Sequence, residues 1–441
     1  MRGLTTTVIL IAVLAGLGGY IYYDSRNPQP ETAAKTKAFT VAADQIEELQ
    51  IQVDGGETTR VRKADGAWHL VEPVQADADS GELTNIASNL ASLDIDRVVD
   101  EKPSDLAQYG LNPPKIQIAF REKGKTEPVR LLVGEKTPTG AGVYAKKPNE
   151  PGVFLVSSAV DDTFRRSAFD LRDKTVLKFD REKADAIEIA TASQNIRFGR
   201  AGSDWVIEKP ARMRADYAAV EGILTALQGA AMQKLVAADA TPADLKSAGL
   251  TTPSATASVI TGSARATLLL GRSDEGETFA RDTSRPMLMT VPATLAAELT
   301  KPVSEFRRKD IFDMRSFTAS RIEIKRGNDT LSFERYSKNG GDAWKNASGK
   351  DVDTAKVEDL LTKLSNLRTQ SFETAQDAAL RTPLLVVTTR FGEGNQSART
   401  ESVTLAKSGA SIVASRPDEP GTLTLEATSL DEVTTALDSV K

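Results

Sequence analysis

After Asp79, Asp216 and Asp353, apolar residues return at the fourth, seventh and eleventh positions. They are Leu83, Ile86 and Leu90; Val220, Ile223 and Leu227; Val357, Leu360 and Leu364. Steps of three and four residues keep one stripe of an α-helix apolar. Each aspartate stands where an N-cap belongs, its carboxylate accepting from free amides of the first turn. The pattern predicts three amphipathic helices with one kind of start, their aspartates 137 residues apart twice.

The pattern around these helices also recurs. Alternating pairs, Leu49/Ile51, Ile187/Ile189 and Ile322/Ile324, predict strands. A charged turn is expected next, then a strand carrying Trp68, Trp205 or Trp344, spaced by 137 and 139 residues. Past the helix come YGLNPP (109–114), AGLTTP (248–253) and AALRTP (378–383), each followed by a hairpin. Two more strands and a short second helix, residues 159–169 in the first repeat, complete a β-β-α-β-β-β-β-α unit of about 135 residues. Hairpins rather than strand–helix–strand alternation predict an α+β class with mostly antiparallel sheets, in three tandem copies.

Residues 4–23 are apolar and uncharged, and twenty helical residues match a bilayer's hydrocarbon core. Tyr20, Tyr22 and Tyr23 close the stretch at headgroup level, and Arg2 with the α-amine marks the cytoplasmic side. The expectation is one N-terminal transmembrane helix (1–23), a polar tether (24–43) and repeats at 44–178, 179–311 and 312–441. A cleaved signal peptide is the rival reading, although no clean small-residue cleavage site follows the stretch. The topology expected is single-pass, with the N-terminus inside and the repeats outside.

Composition narrows the chemistry. With no cysteine and a single histidine among 441 residues, thiolate sites, disulfides and two-imidazole metal sites are excluded. A net charge of −5 leaves no global basic field for nucleic acid. His69 follows Trp68 in a strand, so it faces away from the core, and the other repeats carry Val206 and Lys345 there. GEKT at 134–137 lacks the upstream glycine of a phosphate loop, and Gly134, Gly140 and Gly142 read as hairpin glycines with positive φ. The carboxylate pairs Asp94/Asp96 and Asp161/Asp162 are the remaining material for a hydrolase. Asp77, Asp79 and Glu82 fail the calcium-loop spacing at Gly81. Arg172 and Lys174 match Arg307 and Lys309 at the junctions between repeats. They read either as helix C-terminal charges meeting carbonyls or as an anion or inter-repeat contact.

An apolar anchor followed by tandem units carrying YGLNPP, LLVG before VYAKK, and LRDKTVLKF resembles the bacterial family called domain of unknown function 4340. The resemblance spans the whole soluble part and is weakest in the third repeat, where LLVG reads TLAKSG. It implies a single-pass envelope protein encoded beside ABC-transporter subunits, and it supplies no catalytic residues or cofactor. The function expected is a non-enzymatic accessory or interaction component of such a transport system, with the membrane and its transporter or other envelope subunits as partners. A lipid- or glycan-binding carrier is the alternative, and a carboxylate-dependent hydrolase a third.

Overall fold

The computed structural model describes residues 36–392 and 398–440. The chain forms two compact units that divide between Lys174 and Thr175. The first holds one nine-stranded sheet and the second holds two.

In the first unit the sheet runs from Ala76–Asp77 through Ala67–Glu72, Thr58–Ala64 and Ile46–Val53 to Ile116–Glu122. It continues through Val129–Lys136, Gly142–Lys146 and Val153–Ser157 to the edge strand Arg97–Asp100. Every neighbouring pair is antiparallel. The second and third repeats follow the same order, strand for strand.

The β-β-α-β-β-β-β-α unit is therefore corrected: each sheet has nine strands, and sheets rather than helices dominate the architecture. The stretches expected as charged turns are full strands, Thr58–Ala64, Asn195–Ala201 and Asp329–Lys338. Their cations are answered across the sheet. Arg62 meets Glu48 at 3.1 Å and Arg60 meets Glu72 at 3.2 Å, while Arg197 lies between Glu188 and Glu208. Cross-strand pairs of this kind stabilise a strand whose own residues look like a loop. The edge strands are only two to four residues long in each repeat, too short to show a period.

Among the described residues no helix is long and apolar enough to cross a membrane. Residues 4–23, expected as a transmembrane helix, lie outside the described residues. The end of the expected tether belongs to the first unit: Thr36 and Lys37 pair with Ile95 and Asp94, and Phe39 packs edge-on against Phe120.

Each capped helix presses its stripe into its own repeat. Leu83, Ile86 and Leu90 join Trp68, Leu49 and Ile118 in one core; Leu360 and Leu364 join Trp344, Ile322 and Val387 in another. The tryptophans are 4%, 2% and 0% exposed in chain order. Asp79 accepts from the amides of Gly81 and Glu82 at 2.9 and 3.0 Å, Asp216 from Ala219 at 3.0 Å, and Asp353 from Ala355 at 3.0 Å. These bonds satisfy amides that a helix start leaves unpaired.

The repeated glycines have a different cause from the one expected. Gly140 does adopt a positive φ, but Gly134 lies inside a strand. A Cβ on Gly134 would come within 2.1 Å of the Tyr109 carbonyl oxygen, and one on Gly271 within 2.0 Å of that of Ala248. YGL and LLVG are thus two sides of one close backbone contact, as are AGL and LLLG. In the third repeat the residue after the register-matched Leu405 is Ala406, which is fully buried.

Candidate functional site

The segments that follow the first two repeats are built into the sheets they leave. In the first unit, Arg172 bridges Ala78, and the Leu171 carbonyl accepts from the Asp79 amide at 2.9 Å. In the second unit, Arg307 bridges Ala215, and the Phe306 carbonyl accepts from the Asp216 amide at 2.8 Å. The cap aspartates and junction arginines singled out from the sequence therefore meet at one place in each of these repeats. Asp353 has no such neighbour and serves as a cap alone in the bonds described.

Within the second unit the junction is zipped on both sides. Arg308 donates its amide to the Arg214 carbonyl at 3.1 Å. Ile311 then donates to Leu367, and Thr369 to Lys309, each at 2.9 Å. Residues 306–311 thus tie the helix start of the second repeat to the helix end of the third. Ile311, Phe312 and Met314 are fully buried in the core of the third repeat. Phe179, at the corresponding place before the second repeat, is only half-buried.

A buried ionic seam lies along this junction. Glu419, its side chain 2% exposed, accepts from Arg214 Nε at 2.6 Å and from Arg307 Nη2 at 3.1 Å. Arg307 also stacks over Phe372, 4.0 Å from the ring centroid. Arg416 reaches Glu401 at 2.7 Å and Asp418 at 3.0 Å, and donates to the Ile311 carbonyl at 2.9 Å. Glu401 in turn accepts from the amides of Asp313 and Met314 at 2.8 and 2.9 Å. Charges this far from water persist only when paired and hydrogen-bonded, and nearly all of these are. Two donors are the exceptions: Arg214 Nη2 and Arg307 Nε are buried with no hydrogen-bond partner among the described residues.

Asp313 joins the seam to a cleft. It sits 2.8 Å from Arg214, 3.3 Å from Arg308 and 3.6 Å from Arg416. Burial alone would raise its pKa, but the three guanidiniums outweigh that and hold the carboxyl below the usual aspartate range. Burial has the upper hand at Arg307, whose pKa is held below the usual arginine range despite Glu419 beside it. The cleft, of about 750 Å³, is lined by seven basic and five acidic side chains, so cations are in excess. Asp310 alone receives Arg315, Arg368 and Arg308, at 3.1, 3.6 and 3.7 Å.

Arg307 makes an inter-repeat contact, serving a carboxylate and a ring in the third repeat rather than a helix-end carbonyl. Arg172 is likewise buried, 6% exposed. Lys174 does meet a carbonyl, that of Asp170 at 3.1 Å, and lies over Phe169. Lys309 approaches Glu305 at 3.9 Å and lines the cleft. Glu401, Arg416, Asp418 and Glu419 escaped sequence reasoning because single charges far apart in the chain carry no period. One signal was present: KPNEPG at 147–152 and RPDEPG at 416–421 occupy the same hairpin of the first and third repeats. In the second repeat Arg285 stands in that hairpin and donates to the carbonyls of Thr175 and Val176.

The other sequence candidates belong to the first unit. His69 is half-buried, 3.7 Å from Asp77. Asp161 is held below its usual range; burial opposes this, but Arg165 and Lys136 outweigh it. A hydrolytic acid needs the reverse shift. Among the described residues no group of histidine, cysteine and carboxylate side chains is placed to hold a metal ion.

The family model described as Domain of unknown function (DUF4340) matches residues 68–204 and 205–383. The chain belongs to this family. The two matches start at Trp68 and Trp205, so the family model recurs in step with the tryptophan strands. No curated protein matches the chain. Among solved structures, a DNA polymerase sliding clamp from Pseudomonas aeruginosa with ligand aligns at 11% identity. That alignment covers 88% of this chain and 93% of that one, with a TM-score of 0.16. A DnaN sliding clamp (DNA polymerase III subunit beta) from Pseudomonas aeruginosa bound to griselimycin aligns at 9% identity. It covers 90% and 94% of the two chains, with a TM-score of 0.14. Likenesses this shallow carry no argument about fold or function.

Proposed function

We propose that this protein is a non-enzymatic interaction component of a bacterial envelope transport assembly. The observation that supports the reading is the seam at residues 306–314, which ties the second and third repeats into one compact unit. A surface made of two repeats recognises a partner only if their relative placement is fixed, and buried charge pairs specify placement more strictly than apolar contact does. Placement in the envelope is supported by the uncharged apolar run at residues 4–23, which has the character of an export signal. A lipid carrier would need an apolar groove between repeats, whereas the cleft between the second and third is lined mainly by charged groups.

Affinity purification of the full chain from solubilised bacterial envelopes tests this. Stoichiometric recovery of transporter or other envelope subunits is expected. Recovery of the chain alone, with copurified lipid, would favour the carrier reading instead.

A further inference from the structure

The cleft between the second and third repeats has the features of a recognition site. Arg212 and Arg399 line it, are exposed, and pair with no carboxylate among the described residues. Arg368 lines it too, is 63% exposed, and holds Asp310 only at 3.6 Å. Arg214 also lines the cleft, paired with Asp313 and Glu419, and its buried Nη2 has no hydrogen-bond partner among the described residues. Arg399 stacks over the Phe391 ring, 5.2 Å from its centroid, which leaves its guanidinium edge without a carboxylate among the described residues. Guanidinium groups bind oxyanions in forked, two-bond geometry, so exposed arginines of this kind in a concave site select an anionic ligand. Tyr217, 49% exposed at the cleft, adds an amphipathic ring of the kind that anchors protein interfaces.

We propose that this cleft docks an acidic, extended segment of a partner protein. The inference rests on the reading of the chain as an interaction component. The distribution of charge selects a peptide over a compact phosphate. Asp310 and Asp313 lie among the arginines. A concentrated double negative charge would be repelled by these aspartates at short range. An extended chain instead spreads single carboxylates along one face, every second residue. Such carboxylates suit the exposed Arg212, Arg368 and Arg399 and need not approach the two aspartates, which are already paired with arginines of the cleft.

The probe is a fluorescein-labelled peptide of alternating glutamate and serine, titrated with the full chain and read by fluorescence anisotropy. Saturable binding that weakens with salt is expected, with a loss of about tenfold in the double variant R212A/R399A. Both side chains are exposed and make no ion pair among the described residues, and Arg399 loses only its stacking on Phe391, so the thermal midpoint of the variant should stay close to that of the parent; R212Q/R399Q serves if it does not. Equal binding of the same peptide with glutamine for glutamate would overturn the proposal, as would unchanged binding in the variants. Displacement of the peptide by millimolar inorganic phosphate beyond that caused by chloride at matched ionic strength, or by phosphatidylglycerol vesicles but not neutral ones, would also overturn it, making the cleft a phosphate or headgroup site. If envelope subunits still copurify with R212A/R399A, the interaction reading stands and the cleft proposal falls. If neither subunits nor peptide bind the parent, both fall.

Discussion

The core of the third repeat and the seam beside it are built on opposite physics. The core joins Trp344, Leu360, Leu364, Ile322 and Val387, all at most 1% exposed and all apolar. The seam, nearly as enclosed at Glu419 and Arg416, is made of charges. Apolar contact is non-directional and scales with area, so a core tolerates exchange of one aliphatic residue for another of similar volume. An ion pair out of water has lost its hydration, and its attraction offsets that loss only in one geometry. The difference separates two kinds of contact: the cores bury apolar area repeat by repeat, and the seam joins the second repeat to the third through directional, paired charges.

The strongest test breaks the seam from one side. Arg416→Ala should cost about 3–5 kcal/mol in urea denaturation, because Glu401 is left buried and uncompensated. Removing both partners, Arg416→Met with Glu401→Leu, should recover only part of this, since the amides of Asp313 and Met314 lose their acceptor. Full recovery would mean that the pair contributes nothing specific to the seam.

Next in size is the glycine contact. Gly271→Ala should cost about 1–3 kcal/mol, read as a lowered thermal midpoint, because its Cβ would meet the Ala248 carbonyl oxygen at 2.0 Å. Ala406→Gly in the third repeat should gain no comparable stability, since alanine is already accommodated there. A symmetric response in the two repeats would contradict the local account of the motif.

Helix capping is a smaller term. Asp353→Ala should lower stability by about 1 kcal/mol, the usual worth of an N-cap carboxylate. Asp216→Ala should cost more than Asp353→Ala, because in the second repeat the cap residue's own amide is bonded to the junction and any shift there disturbs the seam. Equal costs would uncouple cap from junction.

The gentlest perturbation is pH. Asp313 is held below an unfolded value of about 3.9, so its stabilising contribution is complete above that pH and is lost as pH falls through the lower folded value. Limited proteolysis near residues 306–314 should therefore accelerate below about pH 4. Acceleration already near pH 6 would place the sensitive group elsewhere.

Much of the repeat was legible in advance. The stripes after Asp79, Asp216 and Asp353, the caps and the buried tryptophans follow from periods of three, four and two residues, because a helix or strand turns period directly into a face. The Thr58–Ala64 strand was not legible, since its Arg60 and Arg62 look like a loop until Glu48 and Glu72 are set beside them. Of the candidate site, Arg307 stood out through its spacing from Arg172, but its partner did not. Glu419 lies 112 residues further on, and no local rule links positions so far apart.

By itself, the amino-acid sequence determined the number of repeats, the three capped helices and the buried face of each, since all of these depend on neighbours within a few turns of chain. Only the tertiary structure decided the nine-strand order, the close approach at Gly134 and Gly271, and the meeting of Arg214, Arg307, Glu401, Arg416 and Glu419 along the junction. The physical reason is range: periodicity records which side of an element avoids water, whereas the energy of a buried charge depends on a partner that folding alone brings within 3 Å or so.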